Sequence, residues 1–224
     1  GELDNTLIFF FSDNGASGEH VPFGFDIPAG ENKFNKVPIL NTGKALENMG
    51  QAGTYMGYGP GWACASNTPL SFYKRYVHEG GISTPFIAHW PDGIRRSGDI
   101  DRQPAHITDI MATCVDITGA NYPKQFNGND ILPMEGRSLM PIFKGEQVPT
   151  RTLCFDHENT RAVRQGKWKL VKLREEAWEL YDMEQDRVEM NNLAKKYPLR
   201  VKEMAAIWKA WAKRSQVLPG PIFP

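Results

Sequence analysis

Net charge is the first thing this sequence lacks. Its 26 Lys and Arg residues are matched by 26 Asp and Glu. That balance removes the electrostatic case for nucleic acid or an anionic membrane as the main partner. Long apolar runs are also missing, and none approaches the roughly 20 residues that span a bilayer. Cysteine is scarce: Cys64, Cys114 and Cys154 are odd in number and far apart, with neither metal-type spacing nor a disulfide framework. Cys114 lies in an apolar pattern and reads as a core residue. There is no initiator Met and no signal peptide. Residues 1–5 read as the tail of a helix and a turn feeding a strand, so Gly1 is taken as a truncation point and no targeting information survives.

What is present begins with Thr6-Leu7-Ile8-Phe9-Phe10-Phe11-Ser12-Asp13-Asn14-Gly15. A continuous apolar run of this length, bounded by polar residues, predicts a strand buried on both faces. It ends abruptly at Ser12, and Gly15 permits a sharp turn. Ligands of open α/β sheets bind beyond the carboxyl ends of strands. Asp13 and Asn14 at such an end offer hard oxygen ligands to Ca²⁺ or Mg²⁺. The same decapeptide also fits a plain strand followed by an Asx-turn.

Residues 16–71 are rich in Gly, Pro, Asn and aromatics and show no sustained period, apart from a short helix expected over 42–49. Phe23, Phe25, Tyr55, Tyr58 and Trp62 argue for an ordered loop over the strand ends rather than a linker. Residues 84–90 form the next strand. Residues 104–118 follow as a helix with Ile107, Ile110, Met111, Cys114, Val115 and Ile117 inward, stopped by Gly119. His106 and Asp109, one turn apart, suit a structural hydrogen bond. Residues 139–143 make one helical turn. Four short strands come next, around 153–157, 162–164, 168–173 and 178–182. Their close spacing implies an antiparallel sheet. An amphipathic helix over 199–211 follows, with Val201, Met204, Ala205, Ile207, Trp208 and Trp211 as its apolar positions.

The wording Trp62-Ala63-Cys64-Ala65-Ser66-Asn67-Thr68-Pro69, then Lys74, then His78-Glu79-Gly80-Gly81-Ile82-Ser83-Thr84-Pro85, resembles the sulfatase family, bacterial arylsulfatases above all. Arg161-Ala162-Val163-Arg164 with Trp168-Lys169-Leu170, and Leu180-Tyr181-Asp182 with Asn192-Leu193-Ala194, resemble its small C-terminal subdomain. The resemblance runs over nearly the whole chain but matches only the C-terminal portion of such an enzyme. It implies an alkaline-phosphatase-like α/β/α fold whose N-terminal half is missing, over residues 1–145. Residues 146–224 would form an α+β subdomain, a four-stranded antiparallel sheet with a C-terminal helix.

The resemblance also implies chemistry. Asp13 and Asn14 match the strand-end pair that ligates Ca²⁺, a site normally completed by two carboxylates from an N-terminal strand. Lys74 matches the lysine that contacts the sulfate ester, where an ammonium stabilises developing charge; a lone lysine is otherwise a solvated surface group. Glu79 reads as structural. His78 and His157 border the expected cleft and are candidate substrate contacts or packing residues; His20 is a weaker one. The family's nucleophile is a formylglycine made from a C/S-x-P/A-x-R motif, and none of the three cysteines is followed by that pattern. This chain alone is therefore expected to be inert.

The expected function is a fragment of a periplasmic or secreted sulfuric ester hydrolase. Its substrate would be a sulfated small molecule or glycan, and its partner the missing N-terminal half. Two rivals stand beside it. One is a phosphoryl-transfer hydrolase of the alkaline phosphatase superfamily, which also needs a metal and an anion cradle. The other is a non-catalytic chain that binds sulfated glycans or a partner. With most strands of its central sheet upstream, the isolated chain is expected to expose apolar surface.

Overall fold

A computed structural model describes residues 1–18, 47, 51 and 59–218. In chain order the elements are β1 (Ile8–Phe11), α1 (Gly59–Asn67), α2 (Glu79–Ile82), β2 (Phe86–His89), α3 (Thr108–Thr118), β3 (Gln125–Phe126), β4 (Asn129–Asp130), α4 (Met140–Phe143), β5 (Thr152–His157), β6 (Thr160–Gln165), β7 (Trp168–Lys172), β8 (Glu179–Asp182) and α5 (Pro198–Arg214). Two compact units result: Gly1–Phe11 with Phe86–Arg151, and Ser12–Pro85 with Thr152–Pro224. One boundary between the units lies at the Arg151–Thr152 junction, and the residues before it are shared between both units. His20, the aromatics Phe23, Phe25, Tyr55 and Tyr58, and all of the helix expected over 42–49 except residue 47 lie outside the described residues.

The second unit is built on the antiparallel sheet β5-β6-β7-β8. His157 pairs with Thr160 across a two-residue loop, Glu158-Asn159. Both loop residues take left-handed φ, 46° and 66°, which matches the twist of the flanking strands. Period-2 alternation then sorts the side chains. Val163, Leu170 and Leu180 meet Met204, Trp208 and Ala212 of α5. These three helix positions are spaced by four, so they lie on one stripe. Trp208 Nε1–H donates to the Phe155 carbonyl at 3.0 Å, which satisfies the indole's one polar atom in the core. On the opposite face Ala162, Val171, Tyr181 and Met183 pack against Val77. The sheet therefore buries both faces. The sequence suggested only the one under the helix.

The first unit holds the β1–β2 ribbon, also antiparallel, with Ile8 opposite His89 and Phe11 opposite Phe86. Phe9 packs on Phe86 and Phe143, with ring centroids 5.2 and 6.3 Å apart. The other face is bare: Phe10 is 71% exposed and its partner Ile87 57%. The expectation that β1 is buried on both faces is thus corrected. Consecutive apolar residues need a layer on each side, and the described residues of this unit supply one.

Helix α3 starts at Thr108 rather than 104 and stops as expected at Gly119, whose φ is +64°. Its inward face differs from the apolar one expected: Asp109, Ala112 and Thr113 are buried, while Ile107, Met111 and Cys114 are exposed. The reason is polar anchoring. The Asp109 carboxylate is clasped by the two terminal guanidinium nitrogens of Arg151 and accepts the Arg137 N–H at 2.9 Å and the His106 N–H at 2.8 Å. Thr113 Oγ1 donates to the Asp109 carbonyl at 2.6 Å and accepts the Leu139 N–H at 2.9 Å. A buried carboxylate must keep its partners, so it, and not the apolar stripe, orients the helix. The structural bond expected between His106 and Asp109 is made by the histidine's backbone.

Candidate active site

The candidate residues of the second unit converge on two turns. The first, Ser12-Asp13-Asn14-Gly15, follows β1 directly. Ser12 Oγ donates to the Asn14 carbonyl at 2.9 Å, closing the turn. Asp13 is exposed and Asn14 half-buried. The second spans residues 71–81 and carries Lys74, half-buried, between Phe72 and Arg75, whose φ angles are 64° and 89°. Left-handed backbone at two non-glycine positions costs on the order of 1–3 kcal/mol each and persists only where the surroundings impose it.

Those surroundings are identifiable. The Lys74 N–H donates to the Ala16 carbonyl, and the Gly15 N–H to the Gly81 carbonyl, both at 3.0 Å. The two turns are thus bonded backbone to backbone. Glycine is required at the contact: a Cβ on Gly15 would stand 1.7 Å from the Gly80 oxygen, and one on Gly80 2.2 Å from the Phe72 oxygen. The Glu-Gly-Gly wording is therefore packing chemistry, which lets the strand-end turn and the lysine turn touch.

The C-terminal sheet seats the lysine turn from below. Ser71 Oγ donates to the Val188 carbonyl at 2.6 Å, and the Thr160 hydroxyl lies between the His157 carbonyl at 2.6 Å and the Arg75 carbonyl at 3.1 Å. Lys169, fully buried on β7, places its ammonium 2.8 Å from both Glu79 Oε1 and Glu189 Oε1. Glu189 Oε2 accepts the Glu79 N–H at 2.8 Å. Burial pushes the Glu79 carboxyl up, but Lys169, by charge and hydrogen bond, and then Arg164 and Arg187, bring it below its ordinary range. Glu79 is thus a buried anchor, in line with its structural reading.

His78 and His157 separate. His78 is 2% exposed, lies 4.6 Å from the Phe72 ring, and sets Nε2 3.2 Å from Glu179 Oε2. The hydrogen bond from His78 leads the effects that hold the Glu179 carboxyl below its usual value, against burial and with help from Tyr181. His157 ends β5 with a half-exposed side chain, 4.0 Å from Glu158 Oε1. The structure thus joins Asp13 and Asn14 to the Lys74 turn, puts His78 beneath that turn, and leaves His157 on a hairpin end.

Three residues escaped the sequence reading. Asn67, the last residue of α1, accepts the Ala16 N–H at 3.1 Å and donates to the Phe72 and Gly80 carbonyls at 2.9 and 2.8 Å. It lay inside the motif wording, but bonds made by one side chain to residues 5, 13 and 51 positions away leave no local pattern. Lys169 did leave one, as a charged residue at an inward position of an apolar strand. Glu189 left none. Helix α1 was missed because Gly59, Pro60 and Gly61 are poor helix formers, although proline suits a first turn.

Asp13 and Asn14 offer one carboxylate and one carboxamide oxygen, a donor set that suits a hard cation but fills two of the roughly six to eight positions calcium takes. Among the described residues no group of three or more His, Cys, Asp or Glu side chains could hold a metal ion.

Known proteins resemble this chain over nearly its whole length. The family model described as Sulfatase matches residues 1–120, and that described as N-sulphoglucosamine sulphohydrolase, C-terminal, matches residues 70–214. An uncharacterized sulfatase of Schizosaccharomyces pombe is 32% identical over 229 residues, covering 99% of this chain and 40% of that protein. An arylsulfatase of Klebsiella aerogenes is 32% identical over 143 residues, 63% of this chain and 29% of that one. A solved structure in complex with its substrate D-glucosamine-2-N,6-O-disulfate has a TM-score of 0.57 and 21% identity, over 97% of this chain and 36% of that one. At that identity the likeness is one of fold. The chain spans at most 40% of the length of these three proteins.

Proposed function

The chain belongs to the sulfatase family and shares the alkaline-phosphatase-like fold of its solved relatives, and from that premise we propose that it is the C-terminal portion of a sulfuric ester hydrolase whose nucleophile, a formylglycine, lies in an upstream half. The observation that carries this reading is the backbone pairing of the Asp13-Asn14 turn with the Lys74 turn. It ties the turn that carries Asp13 and Asn14 to the turn that carries Lys74, which supports reading the first two as hard oxygen ligands and the third as a sulfate contact.

Asp13 and Asn14 would hold Ca²⁺ together with carboxylates supplied from upstream. When bound, that ion supplies positive charge against the sulfate oxygens and the nucleophile. The Lys74 ammonium would contact the ester and stabilise negative charge building on its bridging oxygen as the S–O bond breaks. Glu79, Lys169 and Glu189 fix the base of the turn. A sulfated sugar as substrate is supported by the disulfated glucosamine bound by the solved relative.

Calcium titration and kinetics on the protein joined to its upstream half test these roles. Asp13→Ala removes a charge as well as a ligand and should weaken Ca²⁺ binding more than Asn14→Ala. Lys74→Ala should lower kcat/KM by about a hundredfold or more, with Ca²⁺ affinity near the parent's. Loss of metal in Lys74→Ala with metal retained in Asp13→Ala would overturn the assignment.

A further inference from the structure

Asn67 makes three side-chain hydrogen bonds within the candidate site. Its carboxamide donates twice to the lysine turn and accepts once from the strand-end turn. The oxygen takes the Ala16 N–H of the strand-end turn, one N–H goes to the Phe72 carbonyl, and the other to the Gly80 carbonyl. The two donor bonds fall on either side of Lys74, and the acceptor bond falls two residues past Asn14. Phe72 holds its left-handed φ with its carbonyl aimed at this amide. Only a side chain with two donors and an acceptor on one planar head completes all three bonds. Aspartate has the shape but would face two carbonyl oxygens with no hydrogen to offer.

We infer that Asn67 is a positioning residue that sets the Lys74 ammonium against the Asp13–Asn14 metal-ligand pair. The inference rests on the proposed function for its catalytic consequence, but the clasp is independent of it. The three bonds come from the end of α1, whose Ala63 is fully buried. That anchors the amide to the unit rather than to either turn. Displacing a charged group by about 1 Å from its working position costs on the order of a hundredfold in rate. A loosened Lys74 turn therefore mimics much of the loss of Lys74 itself.

Asn67→Asp separates the two halves of the clasp, because it keeps the acceptor for Ala16 and loses both donors to the lysine turn. In the protein joined to its upstream half, Asn67→Asp should lower kcat/KM by about tenfold or more and leave the Ca²⁺ half-saturation within about threefold of the parent. Asn67→Ala should lose on both measures. In a Lys74→Ala background the Asn67→Asp loss should shrink to under about threefold, because the group being positioned is gone. A merely structural asparagine would give the same fold-loss in both backgrounds, and that result would overturn the inference.

Hydrogen–deuterium exchange reads the clasp without turnover. Asn67→Asp should speed exchange over residues 71–82 and leave 13–18 near the parent rate, and unchanged exchange over 71–82 would also overturn the inference. The failures are distinguishable. If Lys74→Ala alone left turnover intact, the proposed function would fall, and the exchange result would still decide whether Asn67 sets the turn.

Discussion

The sheet β5–β8 and the ribbon β1–β2 are both antiparallel and both rich in large apolar side chains, yet one buries them and the other does not. In the sheet, apolar and polar positions are split between two faces, and each face has its own cover: α5 on one side, the segment around Val77 on the other. In the ribbon, Phe9 and Phe86 share a face with Phe143, while Phe10 and Ile87 stand in solvent. The sheet even accommodates a charge, Lys169, because one carboxylate, Glu79, arrives with its cover and another, Glu189, from the segment after β8. A strand's fate is thus set less by its own hydrophobicity than by which layers its neighbours provide.

The largest effect should separate the two regions outright. Lys169→Ala strands Glu79 and Glu189 as buried carboxylates and should cost about 3–5 kcal/mol. Phe10→Ala, on the bare face, should stay within about 0.5 kcal/mol. Urea unfolding of the two variants measures both, and comparable losses would abolish the contrast between covered sheet and open ribbon.

Thiol labelling sharpens the same contrast. Burial pushes the Cys154 thiol, on β5, up to about 11 from an ordinary 9.0, whereas Cys114 on α3 is exposed. The reactive species is the thiolate, so Cys154 should alkylate about a hundredfold more slowly near pH 8 from this shift alone. Equal rates for Cys114 and Cys154 would show that the sheet opens as freely as the helix face.

Acid should act most gently. Glu79 titrates below its ordinary 4.5 in the folded protein, against the push of burial, because Lys169 and two arginines favour its charged form. A depressed carboxyl contributes stability that is present above the unfolded value and lost as pH falls through the folded one. The urea midpoint should therefore decline as pH drops below about 4.5, and Glu79→Gln should flatten that decline. An identical acid limb in parent and Glu79→Gln would mean that the lysine does not hold Glu79 charged.

Much of this was legible in the chain itself. The four short strands, their hairpin turns, the stripe of α5 and the stop at Gly119 all rest on local signals: alternation, turn residues and helical spacing. Asp13, Asn14 and Lys74 stood out because motif wording surrounds them. The inner face of α3 was not legible. Its apolar periodicity pointed one way, and a carboxylate bonded to Arg151, 42 positions away, turned it the other. Asn67 and Glu189 were invisible for a like reason, since Ala16 and Glu79 lie close to them in space and far from them in sequence.

The sequence by itself determined which segments become strands and helices, because propensity and period act over a few residues. It also determined that two turns would carry ligand-type side chains. Only the tertiary structure decided that those turns touch. The contact depends on glycines whose missing Cβ atoms let backbones approach, on one asparagine spanning three segments, and on a buried lysine meeting acids 90 and 20 positions away. Such contacts arise when layers pack, and no local pattern in the chain encodes them.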